Sequence, residues 1–327
     1  MTDHDVDCAR VTRRRFVEYG AATIALASPL ARAQKRAGGE AAKGAPPPDP
    51  GAASVTTHTD AAQRLTVRVG INGAGPYRFV VDTGADRTVL AEDVATALDL
   101  PRGEQVNVSG IVRRVAADSV TIRELSIGRI TREQLRIPVI PRSMLEADGY
   151  LGLDTLDGCR VTFDFKNHDL QVGYRRSKLA SLWIQSNSTR IRSSGASGHL
   201  RAVDCTVDGV PTTAFIDTGA EISAGNAQLL AALTGRKPGL VERGTMPLRG
   251  VTGGEIQGRV IFVDKIQLQE LQFTDCALVI ADLAVFDIWG LTQRPALLIG
   301  MDYLRRFARV SIDYGRKEIR FDLASLA

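Results

Sequence analysis

The segment FVVDTGADRTVL, residues 79–90, joins an apolar run to an Asp-Thr-Gly turn, and the segment AFIDTGAEIS, residues 214–223, has the same form. A single Asp-Thr-Gly is weak evidence of function, because these residues are also common in ordinary turns. Two copies, each at the end of an apolar strand pattern, indicate that the chain contains two related halves. Asp82 and Asp217 then occupy equivalent positions.

The sequence around each Asp-Thr-Gly is duplicated as well. A hairpin signal precedes each one, Asn72-Gly73 in the first half and Asp208-Gly209 in the second, since these residues tolerate positive φ. Helical patterns follow at residues 92–98 and 226–233. Each half then has an apolar-apolar-Gly motif and a closing hairpin. The second half is longer, and we expect its extra residues in the region 273–294.

Residues 82–90 resemble the active-site segment of the retropepsins, the retroviral aspartic proteases. The segments YLGLD (150–154) and LIGMD (298–302) are similar to the apolar-apolar-Gly motif that lies beside the catalytic turn in that family. Retropepsins carry one such unit per chain and dimerise, whereas pepsin-like enzymes carry two units in one chain. The resemblance covers roughly residues 64–172 and 199–321 and points to the bacterial retropepsin-like peptidases. It implies a mostly β, bilobed acid-protease fold with two homologous β-barrel-like lobes and short helices.

The resemblance implies that Asp82 and Asp217 are the catalytic pair of an aspartic endopeptidase. Two carboxyls that share one proton cannot both ionise readily, so one stays neutral while the other takes a proton from a water. The neutral carboxyl can then donate to the developing oxyanion. Water is the only other reactant, so we expect no metal and no cofactor.

The turn residues around the pair have expected supporting roles. Gly84 and Gly219 suit a turn whose backbone approaches the other lobe. By resemblance, the hydroxyls of Thr83 and Thr218 hydrogen-bond across the lobe junction.

Ala85 and Ala220 stand where pepsin-like enzymes usually have Ser or Thr. Without a hydroxyl that donates to the carboxylate, the apparent pKa values of the pair should be higher. We therefore expect activity at milder acidity than pepsin. Four further aspartates recur in both halves and are expected to serve turns and caps: Asp154, Asp164, Asp302 and Asp313.

Two glycine-containing hairpin tips are candidates for flaps over a bound substrate. They lie at residues 108–112 and 250–254, and the candidate residues are Gly110, Ile111, Gly250, Val251, Gly253 and Gly254. The first tip lacks the Tyr of pepsin-like flaps, so a single flap of the pepsin type is in doubt. Ordinary surface hairpins are the alternative. A peptide or protein substrate would lie extended beneath the tips.

The order of segments predicts an exported protein. Residues 1–33 combine a twin-arginine-type motif, a short apolar stretch and a small-residue cleavage pattern, which predicts a signal peptide for export to the periplasm. Anchoring through an uncleaved signal is the alternative. We expect an Ala/Gly/Pro-rich disordered tether at 34–60, lobes at 61–175 and 199–327, and a linker at 176–198. We expect no membrane span after signal cleavage.

Composition excludes several other classes. The formal charge of +4 is small for 327 residues and its basic residues form no stripe, so nucleic acid is not an expected partner. The histidines are scattered and no cysteine pair has metal-site spacing. Cys205 and Cys276 alternate with apolar residues and are predicted to face inward. Buried free thiols are the simpler interpretation, and a Cys205–Cys276 disulfide is the alternative.

Two other readings stay open at this point. The second motif lacks the Thr-Val-Leu continuation of the first. A non-catalytic peptide- or protein-binding module on the same fold is therefore one alternative to a peptidase. The other is a peptidase that pairs Asp82 with Asp82 in a homodimer, although a monomer is the expected form.

Overall fold

The computed structural model describes residues 11–13, 52–55, 58–59, 65–174, 188–194, 200–240 and 242–323. The strands of the first half are β1 (Val11–Arg13), β2 (Ala52–Val55), β3 (His58–Thr59), β4 (Leu65–Ile71), β5 (Ala74–Val81), β6 (Val89–Ala91), β7 (Arg102–Ser109), β8 (Arg114–Ile127), β9 (Ile130–Ile140), β10 (Gly149–Leu151), β11 (Cys159–Asp164) and β12 (Asp169–Tyr174). The strands of the second half are β13 (Ser188–Ser194), β14 (Arg201–Val207), β15 (Val210–Ile216), β16 (Ala224–Gly225), β17 (Glu242–Arg249), β18 (Glu255–Leu268), β19 (Leu271–Ile280), β20 (Ala296–Ile299), β21 (Arg309–Asp313) and β22 (Glu318–Asp322). The helices are α1 (Glu92–Ala97), α2 (Arg142–Leu145), α3 (Leu153–Leu156), α4 (Ala227–Arg236), α5 (Ala284–Ile288) and α6 (Met301–Leu304).

The two lobes repeat one strand connectivity. In the first lobe the order is β3-β4-β5-β10-β6-β9-β8-β7, and an added β4–β8 pairing curls the sheet into a barrel-like ring. In the second lobe β14, β15, β20, β16, β19 and β18 follow the same order, and β14–β18 makes the same closure. The mostly β, bilobed acid-protease fold expected from the sequence is confirmed.

A third set of strands joins the lobes. Its order is β13-β22-β21-β11-β12-β2, with β11 of the first half paired antiparallel to β21 of the second. Both closing hairpins predicted from the sequence contribute to this set, which we call the interlobe sheet. Because β11 and β21 come from opposite halves, their ladder of backbone hydrogen bonds fixes one lobe against the other.

Alternation along the strands builds the core. In β4, Leu65, Val67, Val69 and Ile71 are all at most 5% exposed, as the alternating pattern predicts. Aromatic rings fill the second lobe, where Phe273 packs edge-on against Tyr303 and Phe307. Burial of such side chains is the main favourable contribution to folding.

Two expected unstructured segments contain strands. The tether predicted at 34–60 includes β2 and β3, and β2 pairs with β12 in the interlobe sheet. The linker predicted at 176–198 includes β13, which pairs with β22 and β14. The polar and small residues of β2, β3 and β13 gave no strand pattern in the sequence, since backbone pairing needs no apolar side chains. Apart from β1, the expected signal peptide lies outside the described residues.

The greater length of the second half lies only partly where the sequence suggested. Helix α4 has ten residues where α1 has six, and this difference precedes the region 273–294. Asn226 allows the longer helix to begin, because its side chain accepts from the Leu229 amide as an N-cap. Most of the remaining addition falls between β19 and β20, where α5 lies.

The cysteines of the described residues are buried free thiols. Cys159, Cys205 and Cys276 are at most 4% exposed. The inward orientation predicted for Cys205 and Cys276 is confirmed, and the alternative disulfide is not formed. Burial raises the pKa of Cys205 to about 12, so its thiol is neutral and behaves as a small apolar group.

Ion pairs with buried aspartates join β11 and β21, and the Arg309–Asp164 pair is the shorter of the two that lie there among the described residues. Arg309 of β21 donates to Asp164 of β11 at 2.6 Å, and the Asp164 side chain is 7% exposed. Asn167 donates to the same carboxylate through its backbone and side-chain nitrogens. Burial alone would raise the pKa of Asp164, but the hydrogen bonds from Arg309 and Asn167 outweigh it and lower that pKa. The Arg309–Asp164 pair therefore stabilises the junction of the two halves most at pH values at which Asp164 is ionised.

We predict that Asp164→Asn lowers the free energy of unfolding by about 2 kcal/mol at pH 7, because it removes the charge that Arg309 binds. The pKa of Asp164 is depressed by folding, so its contribution is present above the unfolded value near ~4 and is lost as pH falls through the folded value. Urea unfolding at pH 7 and at lower pH measures this. The control is Asp264→Asn, which removes an exposed partner of Lys237. Equal losses in the two variants would contradict the prediction.

Candidate active site

Parallel strand pairing places each Asp-Thr-Gly turn. Strand β5 pairs parallel with β10, and the amide of Asp82 donates to the Leu151 carbonyl at 3.0 Å. Strand β15 pairs parallel with β20 in the same way, and the amide of Asp217 donates to the Ile299 carbonyl at 2.9 Å. Each apolar-apolar-Gly motif therefore holds the strand that ends in a candidate catalytic aspartate. Asp82 is partly buried and Asp217 is 5% exposed.

The two turns meet with each glycine against the opposite carboxyl. A Cβ on Gly84 would lie 2.6 Å from an Asp217 carboxylate oxygen, and a Cβ on Gly219 would overlap the Asp82 carboxyl. Real Cβ atoms do not approach so closely, so a side chain at either position would push the carboxyl out of place. Glycine is needed here for close approach, as the sequence predicted.

Backbone amides hold the carboxyls in orientation. The Gly84 and Ala85 amides donate to one oxygen of Asp82, at 2.8 and 3.1 Å. The Gly219 amide donates to Asp217 at 2.8 Å. These donors fix the orientation of each carboxyl relative to its own turn.

Reciprocal hydrogen bonds between Thr83 and Thr218 lock the two turns together. The Thr83 hydroxyl donates to the Ile216 carbonyl at 2.9 Å and accepts from the Thr218 amide at 3.0 Å. The Thr218 hydroxyl donates to the Val81 carbonyl at 2.7 Å and accepts from the Thr83 amide at 3.2 Å. Both threonines are at most 3% exposed. The cross-lobe bonding expected for these hydroxyls is thus present within one chain.

The carboxyl pair resists full ionisation. Burial raises the pKa of Asp82 well above its ordinary value, and the negative charge and hydrogen bonding of Asp217 raise it further. The Gly84 and Ala85 amides act in the opposite direction but do not reverse the shift. One proton is therefore retained by the pair at pH values where an ordinary aspartate has lost it. This is the state that a carboxyl pair needs for acid–base work.

A second layer of residues supports each turn. In the first lobe the Asp154 carboxylate accepts from the Thr88 hydroxyl at 2.7 Å, and that hydroxyl accepts from the Gly152 amide at 3.1 Å. In the second lobe Asp302 accepts from the Ser223 hydroxyl at 2.6 Å, which accepts from the Gly300 amide at 2.9 Å.

These contacts correct one expectation and explain a difference between the motifs. Asp154 and Asp302 brace the Asp-Thr-Gly turns and are not ordinary turn or cap residues. Asp164 and Asp313 do accept from turn amides, those of Asn167 and Arg316, as expected. Ser223 makes the same hydrogen bonds in the second lobe that Thr88 makes in the first. The looser continuation of the second motif therefore does not weaken the second turn.

Both candidate flaps are hairpin tips, and they touch each other. The β7–β8 tip holds Gly110 and Ile111, and the β17–β18 tip holds Gly250, Val251, Gly253 and Gly254. The Thr252 hydroxyl donates to the Arg113 carbonyl at 2.8 Å, and Arg113 Nε donates to the Thr252 carbonyl at 3.0 Å.

Each tip also reaches the other lobe. The carbonyl of Ile111 accepts from the Ala284 amide of α5 at 2.8 Å, and Gly253 lies beside Met144 of α2. The sequence interpretation treated the tips separately and did not predict the Arg113–Thr252 contact, because contacts between distant hairpins leave no local signal. The two tips form a joined pair, which differs from a single flap.

Other chemistry is not evident in the described part of the chain. Among those residues no group of three or more His, Cys, Asp or Glu side chains could hold a metal ion. No helix of the described residues has the length and apolar character needed to cross a bilayer.

Comparison with known proteins gives a family match in both halves. A family model described as aspartyl protease matches residues 67–155 and again residues 203–303. The two matched regions together cover more than half of the chain, and each contains one Asp-Thr-Gly turn and its apolar-apolar-Gly motif. A search of curated proteins found no match.

We predict that Asp82→Asn raises the melting temperature at pH 7, because it removes a buried carboxyl beside a second one while its amide oxygen can still accept from Gly84. The pKa of Asp82 is raised by folding, so wild-type stability is undiminished below about pH 4 and falls as pH rises towards the folded pKa. The gain should be about 1 kcal/mol or more at pH 7 and absent at pH 3.5 or below. Calorimetry at both pH values measures it, and an equal or larger gain at acid pH would overturn the account.

Proposed function

The chain belongs to the aspartyl protease family, and we propose that it is an endopeptidase whose catalytic pair is Asp82 and Asp217. The observation that carries this proposal is the reciprocal Thr83–Thr218 bonding, which brings the two carboxyls together within one chain. The glycine contacts support it, because each turn has a glycine, which carries no side chain, at the position where the opposite carboxyl lies.

The proposed reaction uses the single proton of the pair. The ionised carboxyl takes a proton from a water, whose oxygen attacks the carbon of the scissile carbonyl. The neutral carboxyl donates its proton to the carbonyl oxygen, which forms a tetrahedral intermediate. The carboxyl that received the water proton then delivers a proton to the leaving nitrogen as the C–N bond breaks. The second carboxyl recovers a proton from the intermediate, and the pair returns to its starting state.

The two joined hairpin tips are proposed as paired flaps. An extended peptide would pair with their strand edges and be held against the carboxyls by backbone hydrogen bonds. Entry would then require the Arg113–Thr252 contacts to open. The near symmetry of the tips favours two flaps acting together over one flap of the pepsin type.

A monomeric enzyme is the form we propose. Both Asp-Thr-Gly turns, their bracing residues and the interlobe sheet come from one chain, so no partner is needed to complete the pair. We also propose export to the periplasm, on the basis of the order of basic, apolar and small residues in 1–33.

We expect Asp82→Asn and Asp217→Asn each to lower kcat/KM for cleavage of a denatured protein substrate by about 10³-fold or more, because either change removes half of the acid–base pair. Asp264→Asn, a matched exposed carboxyl, should keep wild-type cleavage. Cleavage sites inside the substrate, read by mass spectrometry, test the endopeptidase assignment. Full activity of Asp217→Asn would point to an Asp82–Asp82 homodimer. Substrate binding without cleavage by the wild type would point to a binding module.

A separate prediction concerns working pH. Ala85 and Ala220 offer no hydroxyl to the carboxyls, so Ala85→Ser and Ala220→Ser should supply a donor to the ionised form. Donation to a carboxylate lowers its pKa, and the acid limb of the kcat/KM profile should move about 0.5–1 unit towards lower pH. The comparison variant is Ser223→Ala, which removes a hydroxyl that donates to Asp302 and not to the carboxyl pair. A shift towards higher pH in the two Ala→Ser variants would contradict the reasoning.

A further inference from the structure

Tyr314 lies at the end of β21, next to the junction of the two halves in the interlobe sheet. It follows β21 directly, and its amide donates to the Cys159 carbonyl of β11 at 3.1 Å. Val310 and Ile312 of β21 are fully buried, and Tyr314, in the turn that follows the strand, is 7% exposed.

The hydroxyl of Tyr314 has no hydrogen-bond partner among the described residues. Within the described part of the chain it is the one buried side-chain nitrogen or oxygen in this condition. Buried hydroxyls in proteins are almost always paired, either with protein or with an ordered water, because an unpaired one is costly. Tyr150 and Tyr303, the other deeply buried tyrosines, donate to the carbonyls of Leu145 and Ala277.

The titratable groups that act on Tyr314 come from three elements. They are Asp82 after β5, Asp217 after β15 and Cys159 at the start of β11. Burial raises the pKa of the Tyr314 hydroxyl, and the negative charges of Asp82 and Asp217 add to that effect. Burial also raises the pKa of Cys159, so its thiol is neutral where the carboxyl pair titrates. The charge that changes near Tyr314 is therefore that of the pair.

The first repeat shows that the fold does not need this hydroxyl. Val161, Phe163 and Phe165 correspond to Val310, Ile312 and Tyr314 in the duplicated closing strand. Phe165 fills the equivalent position without an oxygen and packs near Phe163, with ring centroids 6.0 Å apart. A phenol in the second repeat alone, buried within electrostatic range of both carboxyls, calls for an explanation other than packing.

We propose that Tyr314 is a positioning residue whose hydroxyl donates through one buried water to the Asp82–Asp217 pair and stabilises its ionised forms. A bridging water satisfies the hydroxyl and carries its dipole to the carboxyls. This role rests on the proposed catalytic function of the pair. It also supplies a donor to the pair, which Ala85 and Ala220 cannot do because they have no hydroxyl.

The test compares Tyr314→Phe with Tyr150→Phe. Phe is accepted at the equivalent position 165, so the first variant should fold. The second removes a buried hydroxyl that already has a protein partner. The carboxyl titration is followed by NMR on protein labelled with ¹³C at the aspartate side-chain carboxyls, with Asp82→Asn and Asp217→Asn assigning the two signals. This measurement needs no substrate, so it decides the role of Tyr314 even if the wild type cleaves nothing.

We expect Tyr314→Phe to raise the apparent pKa values of the pair by about 0.5–1 unit, because a donor to the ionised forms is lost. Tyr150→Phe should leave them in place. In an active enzyme the acid limb of the kcat/KM profile should rise by the same amount. An unchanged carboxyl titration in Tyr314→Phe would overturn the proposal, most clearly if the variant also melts at a higher temperature, as removal of a truly unpaired hydroxyl predicts.

Discussion

The rest of the structure depends on the bonding between Thr83 and Thr218. Each hydroxyl both donates and accepts across the lobe boundary, so neither turn can be placed without the other. The glycines that follow can then approach the opposite carboxyls, and those carboxyls come close enough to share a proton. Both copies of the duplicated unit are needed in this arrangement, because each half supplies one turn and one carboxyl of the pair.

The close carboxyl pair is a source of instability that the scaffold offsets. At neutral pH folding must keep a proton on a buried carboxyl that would be ionised in the unfolded chain, and this opposes folding. The antiparallel ladder between β11 and β21 and the Asp164–Arg309 pair hold the lobes together and offset this cost. Support for the site therefore comes from elements distant from it in sequence, at the interlobe sheet. Tyr314, at the end of β21 in this sheet, is buried within electrostatic range of both carboxyls.

Sequence reasoning worked where the information is local or repeated. The two Asp-Thr-Gly turns, the leading hairpins and the bilobed fold follow from alternation and from duplication. The features that could not be predicted from the sequence depend on contacts between segments that are distant along the chain. The strands at Ala52–Val55 and Ser188–Ser194 are held by backbone pairing with partners far along the chain. The bracing roles of Asp154 and Asp302, the Arg113–Thr252 contact and the unpaired hydroxyl of Tyr314 likewise have no local pattern.

The central claim is that Asp82 and Asp217 of the same chain form one pair. Mixing the purified Asp82→Asn and Asp217→Asn proteins tests it most directly, with cleavage of a denatured protein as the readout. Each chain then lacks one carboxyl, and only exchange of halves between chains could rebuild an intact pair. The account predicts that the mixture stays as inactive as either variant alone. Recovery of cleavage that grows with protein concentration would show a pair assembled between chains and would contradict it.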